Sequence, residues 1–134
     1  MNTVLQMLDT HPQKSSFGAV DAVVACIEAC FECAQACTAC ADACLGEQQV
    51  ADLVPCIRLN QNCADVCAAT GAVVSRTASE AETIRTLLRA CIASCDACGQ
   101  ECGRHAEMHE HCRVCADACR RCAQACRTLL DSLA

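Results

Sequence analysis

Residues 26–44 read CIEACFECAQACTACADAC, and the spacing of the cysteines in this stretch decides the fold of the chain. Each cysteine follows the previous one by four or three residues in alternation. Steps of three and four keep side chains on one stripe of an α-helix. We therefore predict a long helix from about residue 19 to residue 45, with one face lined by thiols.

The same rhythm returns in three further runs, so that the 134-residue chain carries 18 cysteines in all. The candidate metal ligands in the four runs are Cys26, Cys30, Cys33, Cys37, Cys40, Cys44, Cys56, Cys63, Cys67, Cys91, Cys95, Cys98, Cys102, Cys112, Cys115, Cys119, Cys122 and Cys126. We predict further helices over about 52–76 and 80–104, and a last one that ends near Leu130. Four long helices with short links predict an all-α fold, an antiparallel up-down-up-down four-helix bundle with a Cys-lined core.

The chain divides into two parts by composition. Residues 1–18 predict a short amphipathic N-terminal helix, using Val4, Leu5 and Leu8, followed by a connector that contains proline, serine and glycine. Residues 19–134 form the predicted four-helix bundle, which we interpret as a metal-storage domain.

Several residues predict where the helices begin and end. Gly46 is a plausible stop for the first long helix. Asp52 is a candidate N-cap for the second, which places Pro55 in the first turn, where its missing N–H costs little. Ser79 and Glu82 match a capping box at the start of the third.

Composition excludes several functions. The net charge of −6 offers no basic surface for nucleic acid. No run approaches the roughly 18 apolar residues expected of a membrane-spanning helix, and the N-terminus lacks the pattern of a signal peptide. We therefore expect a cytoplasmic protein without nucleic-acid or membrane partners. In a reducing compartment, dense cysteine indicates metal binding or catalysis more often than disulfides.

Cysteine could serve merely as a small apolar filler of the core. The surrounding residues argue against this interpretation. Between Ile27 and Leu45 the only bulky apolar residue is Phe31, and from 112 to 126 it is Val114. Large buried side chains each stabilise a fold by roughly 1.5–3 kcal/mol. Their replacement by cysteine along two helices therefore indicates that the thiols have a function other than packing.

A disulfide scaffold and a thiol-based redox enzyme are two further interpretations. Cysteines three or four residues apart on one helix are poorly placed to pair with each other. CxxC occurs five times, but here it follows from the helical rhythm, and no βαβ pattern accompanies it. A redox enzyme needs one or two exposed cysteines of low pKa, whereas storage needs many equivalent buried ones. We favour a binding protein over an enzyme, with the redox enzyme as the alternative of another class.

The ligand type indicates the metal. Soft thiolates select Cu(I), which is satisfied by two or three sulfurs and can share a sulfur with a second ion. Zinc sites are closed sets of four ligands, and a continuous ladder of thiols does not divide naturally into such sets. Sharing every sulfur would give a capacity of about 18 Cu(I) ions per chain. A zinc or general soft-metal buffer is the alternative within the same class.

The chain resembles the bacterial copper storage protein family, in its cytosolic branch. The motifs that carry the resemblance are the run at 26–44, CxxxCxxCxxxC at 91–102, HAEMHEHC at 105–112 and CxxCxxxCxxCxxxC at 112–126. The resemblance implies a four-helix bundle filled with Cu(I), no catalytic turnover and a homotetramer. It implies copper ions as partners, delivered by a copper chaperone or chelator. Asn60 departs from the pattern, because it stands where the rhythm expects a cysteine.

The two ends of the predicted bundle differ. One end, the mouth, gathers Cys44, Cys56, Cys102 and Cys112 with four further candidate ligands, His105, Met108, His109 and His111. The other, the aliphatic end, gathers Val20, Val23, Val24, Val73, Val74, Ile84, Leu87, Leu88, Leu129 and Leu130. We predict that copper is loaded through the mouth, because only that end offers ligands on the way to the core.

Overall fold

The computed structural model of the protein describes residues 2–133, which contain helices and no β-strand. The α-helices are α1 (Thr3–Thr10), α2 (Val20–Leu45), α3 (Val54–Val74), α4 (Ala81–Arg104) and α5 (Glu110–Ser132). A short 3₁₀-helix, Val50–Leu53, precedes α3. The cysteine rhythm therefore predicted all four long helices, with bounds that differ from the observed ones by about two residues.

The four long helices form an antiparallel bundle. Each packs against the next along the chain, and α5 returns to pack against α2. The sulfur of Cys26, near the start of α2, lies 3.8 Å from that of Cys126, near the end of α5. At the other end of the same pair of helices, Cys40 and Cys112 are 3.9 Å apart. The cysteine stripes of all four helices thus face one another in the core.

The predicted boundary at Gly46 is correct, since this residue caps the C-terminus of α2. The predicted N-cap at Asp52 is wrong. Asp52 lies inside the 3₁₀-helix, and the residue at the N-cap of α3 is Leu53, without a side-chain cap. Pro55 does lie in the first turn of α3. The 3₁₀-helix continues directly into α3, so the chain enters the helix without the extended residue that a capping side chain needs.

The predicted capping box at the start of α4 is also wrong. The N-cap position is occupied by Glu80, which makes no side-chain capping bond. The Ser79 hydroxyl instead donates to the backbone carbonyl of Val73, 3.0 Å away. This hydroxyl therefore satisfies the end of α3 rather than the beginning of α4.

The aliphatic end of the bundle is closed by large apolar side chains. Ile84, Leu88 and Leu129 are fully buried there. The connector adds Phe17, a buried residue that the sequence analysis did not predict. Val20, in the first turn of α2, also lies at this end, but its side chain is half exposed.

The connector is fixed to this end by its backbone. The amide of Ser16 donates to the carbonyl of Thr77 at 3.0 Å. Gly18 has a φ of +65°, in the left-handed region that favours glycine. A Cβ at Gly18 would lie 2.6 Å from Cδ1 of Leu129, so the chain also needs the missing side chain for space. The connector therefore acts as a lid over the aliphatic end.

The predicted N-terminal helix is present as α1. Val4 and Leu8 pack against the bundle, whereas Leu5 is exposed. The side chain of Asn2 accepts from the amide of Leu5 and so caps the helix. Its Nδ2 also donates to Glu28 on α2, which fixes α1 alongside the bundle.

Helix α2 meets the length and composition expected of a membrane span, contrary to the sequence expectation. The mean hydropathy of an 18-residue window in this helix is 1.4, because alanine and cysteine both count as apolar. A buried core helix meets the same test, and 44% of the window is inside the bundle. The buried side carries the cysteine stripe, while Glu28, Glu32 and Asp42 lie on the exposed side.

Candidate metal centre

All eighteen cysteines are buried, and all are free thiols. Their side chains fill the middle of the bundle, where a protein of this size would usually place leucine, isoleucine and valine. The four helices can approach closely there because the residues beside the cysteines are small, such as Ala41, Ala116 and Ala123. Gly99 allows the same close approach, since a Cβ at this position would lie 3.2 Å from Cβ of Cys119.

The sulfurs form a connected path through the core. Neighbouring sulfurs along this path lie 3.7 to 4.0 Å apart. The path runs through Cys102, Cys98, Cys37, Cys33, Cys63, Cys67, Cys122, Cys30 and Cys26. A zinc–thiolate bond is about 2.3 Å long, so two sulfurs about 4 Å apart can bind one ion of similar size. The core therefore offers two-sulfur sites along most of its length.

The sulfurs also gather in sets of four whose members lie within 4.8 Å of one another. Four such sets are Cys30, Cys91, Cys122, Cys126; Cys33, Cys37, Cys63, Cys119; Cys33, Cys67, Cys95, Cys122; and Cys37, Cys98, Cys115, Cys119. Cys33, Cys37, Cys119 and Cys122 each belong to two of these sets. Overlapping sets favour a metal whose ions share sulfurs over separate closed tetrahedral sites.

Asn60 replaces a thiol in this network without leaving a polar atom unsatisfied. Its Oδ1 accepts from the thiols of Cys98, Cys115 and Cys102, at 2.9, 3.2 and 3.4 Å. Its Nδ2 donates to the sulfur of Cys56 at 3.6 Å. A fully buried amide is tolerated here because four thiols surround it as hydrogen-bond partners.

At the mouth, one histidine reaches the thiols. Nδ1 of His111 lies 3.4 Å from the sulfur of Cys40 and 3.7 Å from that of Cys112. These three residues and Cys44 form a further set of four donor atoms within 4.8 Å of one another. The set combines three sulfurs with one imidazole nitrogen, and it is the outermost of the sets described here.

Glu47 links two histidines of the mouth. Its Oε2 accepts a hydrogen bond from Nε2 of His111 at 2.8 Å and lies 3.1 Å from Nδ1 of His109. The rings of His109 and His111 stack with their centroids 5.5 Å apart. The hydrogen bond from His111 is the main cause that lowers the pKa of Glu47. Sequence reasoning missed Glu47, although a carboxylate directly after Gly46, beside a predicted histidine cluster, is the usual outer partner of a ligating histidine.

Within residues 2–133, His105 and Met108 make no hydrogen bond to a thiol. Nε2 of His105 pairs with Glu101 at 2.9 Å, one helical turn back on α4. Met108 is 73% exposed. The structure thus brings His109 and His111 together above Cys40, and it leaves His105 and Met108 farther out.

Burial controls the protonation of the thiols nearest the mouth. Loss of solvation, followed by repulsion from Cys56, raises the pKa of Cys44 to about 11. The same two causes raise the pKa of Cys112. Cys56 shifts in the opposite direction, because its hydrogen bond with Cys102, whose sulfur lies 3.4 Å away, lowers its pKa. Burial thus favours neutral thiols at Cys44 and Cys112 in the apoprotein.

Comparisons with known proteins agree with this geometry. The sequence profile described as copper storage protein matches residues 19–131. A structure of the copper storage protein Ccsp from Streptomyces lividans, loaded with 10 copper equivalents, is similar to this chain at 57% identity and a TM-score of 0.95. The alignment covers 98% of this chain and 100% of that one.

Two further structures are similar to the chain. A cytosolic copper storage protein from Streptomyces lividans with five coppers is 62% identical, with a TM-score of 0.83, over 85% of this chain and 96% of that one. The apo form of copper storage protein 3 from Bacillus subtilis is 40% identical, with a TM-score of 0.69, over 79% of this chain and 96% of that one. No curated protein sequence matches the chain.

Proposed function

This chain belongs to the copper storage protein family, and from that premise we propose that it is a cytosolic, non-catalytic store of Cu(I) whose ligands are its eighteen core cysteines. The observation that carries the proposal is the connected network of buried sulfurs, with neighbours about 4 Å apart. Such a network suits a metal that accepts two or three thiolates and shares them with neighbouring ions.

The charge of the core favours a monovalent ion. Each Cu(I) that binds displaces a thiol proton, and its single charge balances the thiolate that it creates. Each bound ion therefore leaves the net charge of the core unchanged. A divalent ion loaded at one ion per sulfur would leave a large positive charge in a buried site, which is very costly.

Copper reaches the core through the mouth in this proposal. His111 is the innermost mouth ligand, since its Nδ1 already faces Cys40 and Cys112. His109 lies beside it, and His105 and Met108 are the outer ligands. Imidazole and thioether groups bind Cu(I) less tightly than thiolates do, so they can pass the ion inward without retaining it.

The alternative of a redox enzyme lacks the site that it would need. Thiol exchange requires an accessible thiolate, and each of the eighteen cysteines is at most 2% exposed. Burial is the same for a zinc buffer and a copper store, and the overlapping sets of sulfurs disfavour the zinc buffer.

We also propose a homotetramer as the working assembly, with a copper chaperone or chelator as the donor and acceptor of the metal. Native mass spectrometry of the apoprotein and the loaded protein would give the number of chains in the assembly. A monomer under both conditions would contradict the tetramer without affecting the storage proposal.

Anaerobic titration of the reduced apoprotein with Cu(I), followed by the same titration with Zn(II), tests the storage function. We expect well over about ten Cu(I) ions per chain, approaching about 18, and far fewer Zn(II) ions. Saturation after only a few Cu(I) ions, or equal capacity for the two metals, would contradict it.

The bundle should fold before it binds metal, because neutral thiols can pack as small apolar groups and the helices are rich in alanine. Circular dichroism of the reduced apoprotein should therefore already show a strongly helical protein. A coil that becomes helical only with copper, as zinc fingers do with zinc, would contradict this expectation.

A further inference from the structure

Glu47 contacts two histidines of the mouth from the link that follows α2. Its Oε2 lies 2.8 Å from Nε2 of His111 and 3.1 Å from Nδ1 of His109. We propose that Glu47 is a positioning residue, which holds the imidazole of His111 in the tautomer protonated at Nε2 and so presents the lone pair of Nδ1 to the outermost copper site. This inference rests on the storage function proposed above and deepens it.

The argument begins with hydrogen-bond chemistry. An ionised carboxylate only accepts hydrogen bonds, so the ring nitrogen that faces it must carry a hydrogen. A neutral imidazole has a single N–H, and placing it on Nε2 of His111 leaves Nδ1 with a lone pair. A metal ligand needs that lone pair, and the partner of the other nitrogen is what selects it.

The direction of the ring supplies the second step. Nδ1 of His111 faces the sulfurs of Cys40 and Cys112, at 3.4 and 3.7 Å, and belongs to the set that includes Cys44. The opposite tautomer would place a hydrogen on Nδ1, between the ring and the sulfurs. It would also leave two lone pairs, on Nε2 and on Glu47, facing each other at 2.8 Å. The opposite tautomer is therefore disfavoured on both sides of the ring.

The position of Glu47 in the fold supplies the third step. Its side chain is 31% exposed and that of His111 is 26% exposed, so the pair lies at the boundary between solvent and the thiol core. The link that carries Glu47 starts directly at the C-terminus of α2, one turn beyond Cys44. The C-terminal end of α2 therefore fixes the positions of both the Glu47 carboxylate and the Cys44 thiol, which belongs to the same site as His111.

Glu101 provides a matched comparison on the same mouth. It also accepts from a histidine, Nε2 of His105, at 2.9 Å. His105 makes its hydrogen bond one turn back along its own helix, and within residues 2–133 its ring makes no hydrogen bond to a thiol. Glu101 should therefore order His105 without affecting the site formed with His111.

Long-range ¹H–¹⁵N NMR of the apoprotein tests the tautomer directly, since it reports which nitrogen of each histidine carries the proton. In the wild type, His111 should be protonated at Nε2. Glu47→Gln keeps the size of the side chain but can accept or donate, so it should allow a mixture of the two tautomers. Glu101→Ala should leave the His111 signals unchanged.

A competition titration with a Cu(I) chelator tests the consequence. Glu47→Gln and Glu47→Ala should bind the copper of the outermost site about tenfold more weakly, as loss of an outer partner of a ligating histidine usually does. The total number of Cu(I) ions bound should not change, and Glu101→Ala should behave as the wild type at this site. If Glu47→Ala does not fold, Glu47→Gln alone decides the result.

The outcomes separate the two proposals. An unchanged tautomer in Glu47→Gln, or a changed tautomer without weaker binding at the outermost site, overturns the role of Glu47 while many Cu(I) ions still bind. A wild-type protein that binds only a few Cu(I) ions overturns the storage function itself.

Discussion

The two ends of the bundle are built from the same four helices but have opposite chemistry. At the mouth, the last residues before solvent are thiols, histidines and the carboxylates of Glu47 and Glu101. At the aliphatic end, Ile84, Leu88 and Leu129 are completely buried, and Gly18 of the connector lies against Leu129. The large buried side chains stabilise the aliphatic end, and the donor groups at the other end support the proposal that metal enters at the mouth.

This comparison explains how a bundle with a core of thiols can be stable. Cysteine is small, and a buried cysteine contributes less apolar surface than leucine does. Large side chains are therefore concentrated where no metal needs to bind. We expect substitutions at the aliphatic end to affect stability most, and substitutions at the mouth to affect loading most.

The largest expected effect is on stability at the aliphatic end. Leu129→Ala should lower the free energy of unfolding of the apoprotein by about 2–5 kcal/mol, because it opens a cavity among fully buried side chains. Cys112→Ala, at the mouth end of the same helix, should cost only about 1 kcal/mol. Urea unfolding of the reduced apoproteins measures both values. Equal losses of stability in the two variants would contradict the claim that the aliphatic end stabilises the fold more than the mouth does.

The next effect concerns the two glycines Gly18 and Gly103. Gly18→Ala should destabilise the protein by about 2 kcal/mol, because its φ of +65° suits glycine and the new Cβ would meet Leu129. Gly103→Ala, in the last turn of α4, should be neutral or stabilise by up to about 1 kcal/mol, since its Cβ would meet nothing within 4 Å. Thermal unfolding of the two variants would measure the change in stability. A Gly18→Ala protein as stable as the wild type would show that the connector does not stabilise the aliphatic end.

A kinetic effect should appear at the mouth. Replacing His105, Met108, His109 and His111 together by alanine should slow Cu(I) loading, or removal by a chelator, about tenfold while final capacity is nearly unchanged. Stopped-flow absorbance of the copper–thiolate bands measures the rate. Val114→Ala, an exposed change on α5, is the control. Unchanged kinetics in the quadruple variant, with slower loading after the Leu129 end is blocked, would reverse the assignment of the two ends.

The smallest effect is on the pH dependence of apoprotein stability. The pKa of Cys44 is raised by burial from 9.0 to about 11 in the folded protein. The stability gained from this neutral thiol is therefore fully present below pH 9 and is lost as the pH rises towards 11. We expect a loss of about 1 kcal/mol between about pH 8 and pH 9.5. Cys44→Ala should reduce this loss in urea unfolding under anaerobic conditions, and an identical pH profile would contradict the assignment.

The sequence predicted the helices and the core because one strong pattern determined both. The cysteine rhythm has the helical period, and every thiol that it placed in the core is buried there. It could not predict the contacts made between segments. Ser79 satisfies the end of α3 instead of capping α4, and Phe17 folds over the aliphatic end, because tertiary packing decided between local options of similar energy.

At the mouth, too, the sequence did not predict the contacts made between segments. Sequence spacing placed His105 and Met108 on the cysteine stripes, but His105 pairs with Glu101 on its own helix and Met108 is largely exposed. His111 reaches the thiols, and its partner Glu47 is 64 residues away in sequence. A partner at that distance follows no period, so only the folded chain reveals it.

The closed aliphatic end has one more consequence, which concerns time. If copper enters and leaves through the mouth alone, as proposed, an ion near Cys26 leaves along the path of sulfurs that leads back to the mouth. Copper that arrives first lies deepest, and copper that arrives last is the first to depart. Isotopic pulse labelling would therefore show that the protein returns its most recent copper while the oldest ions stay in place.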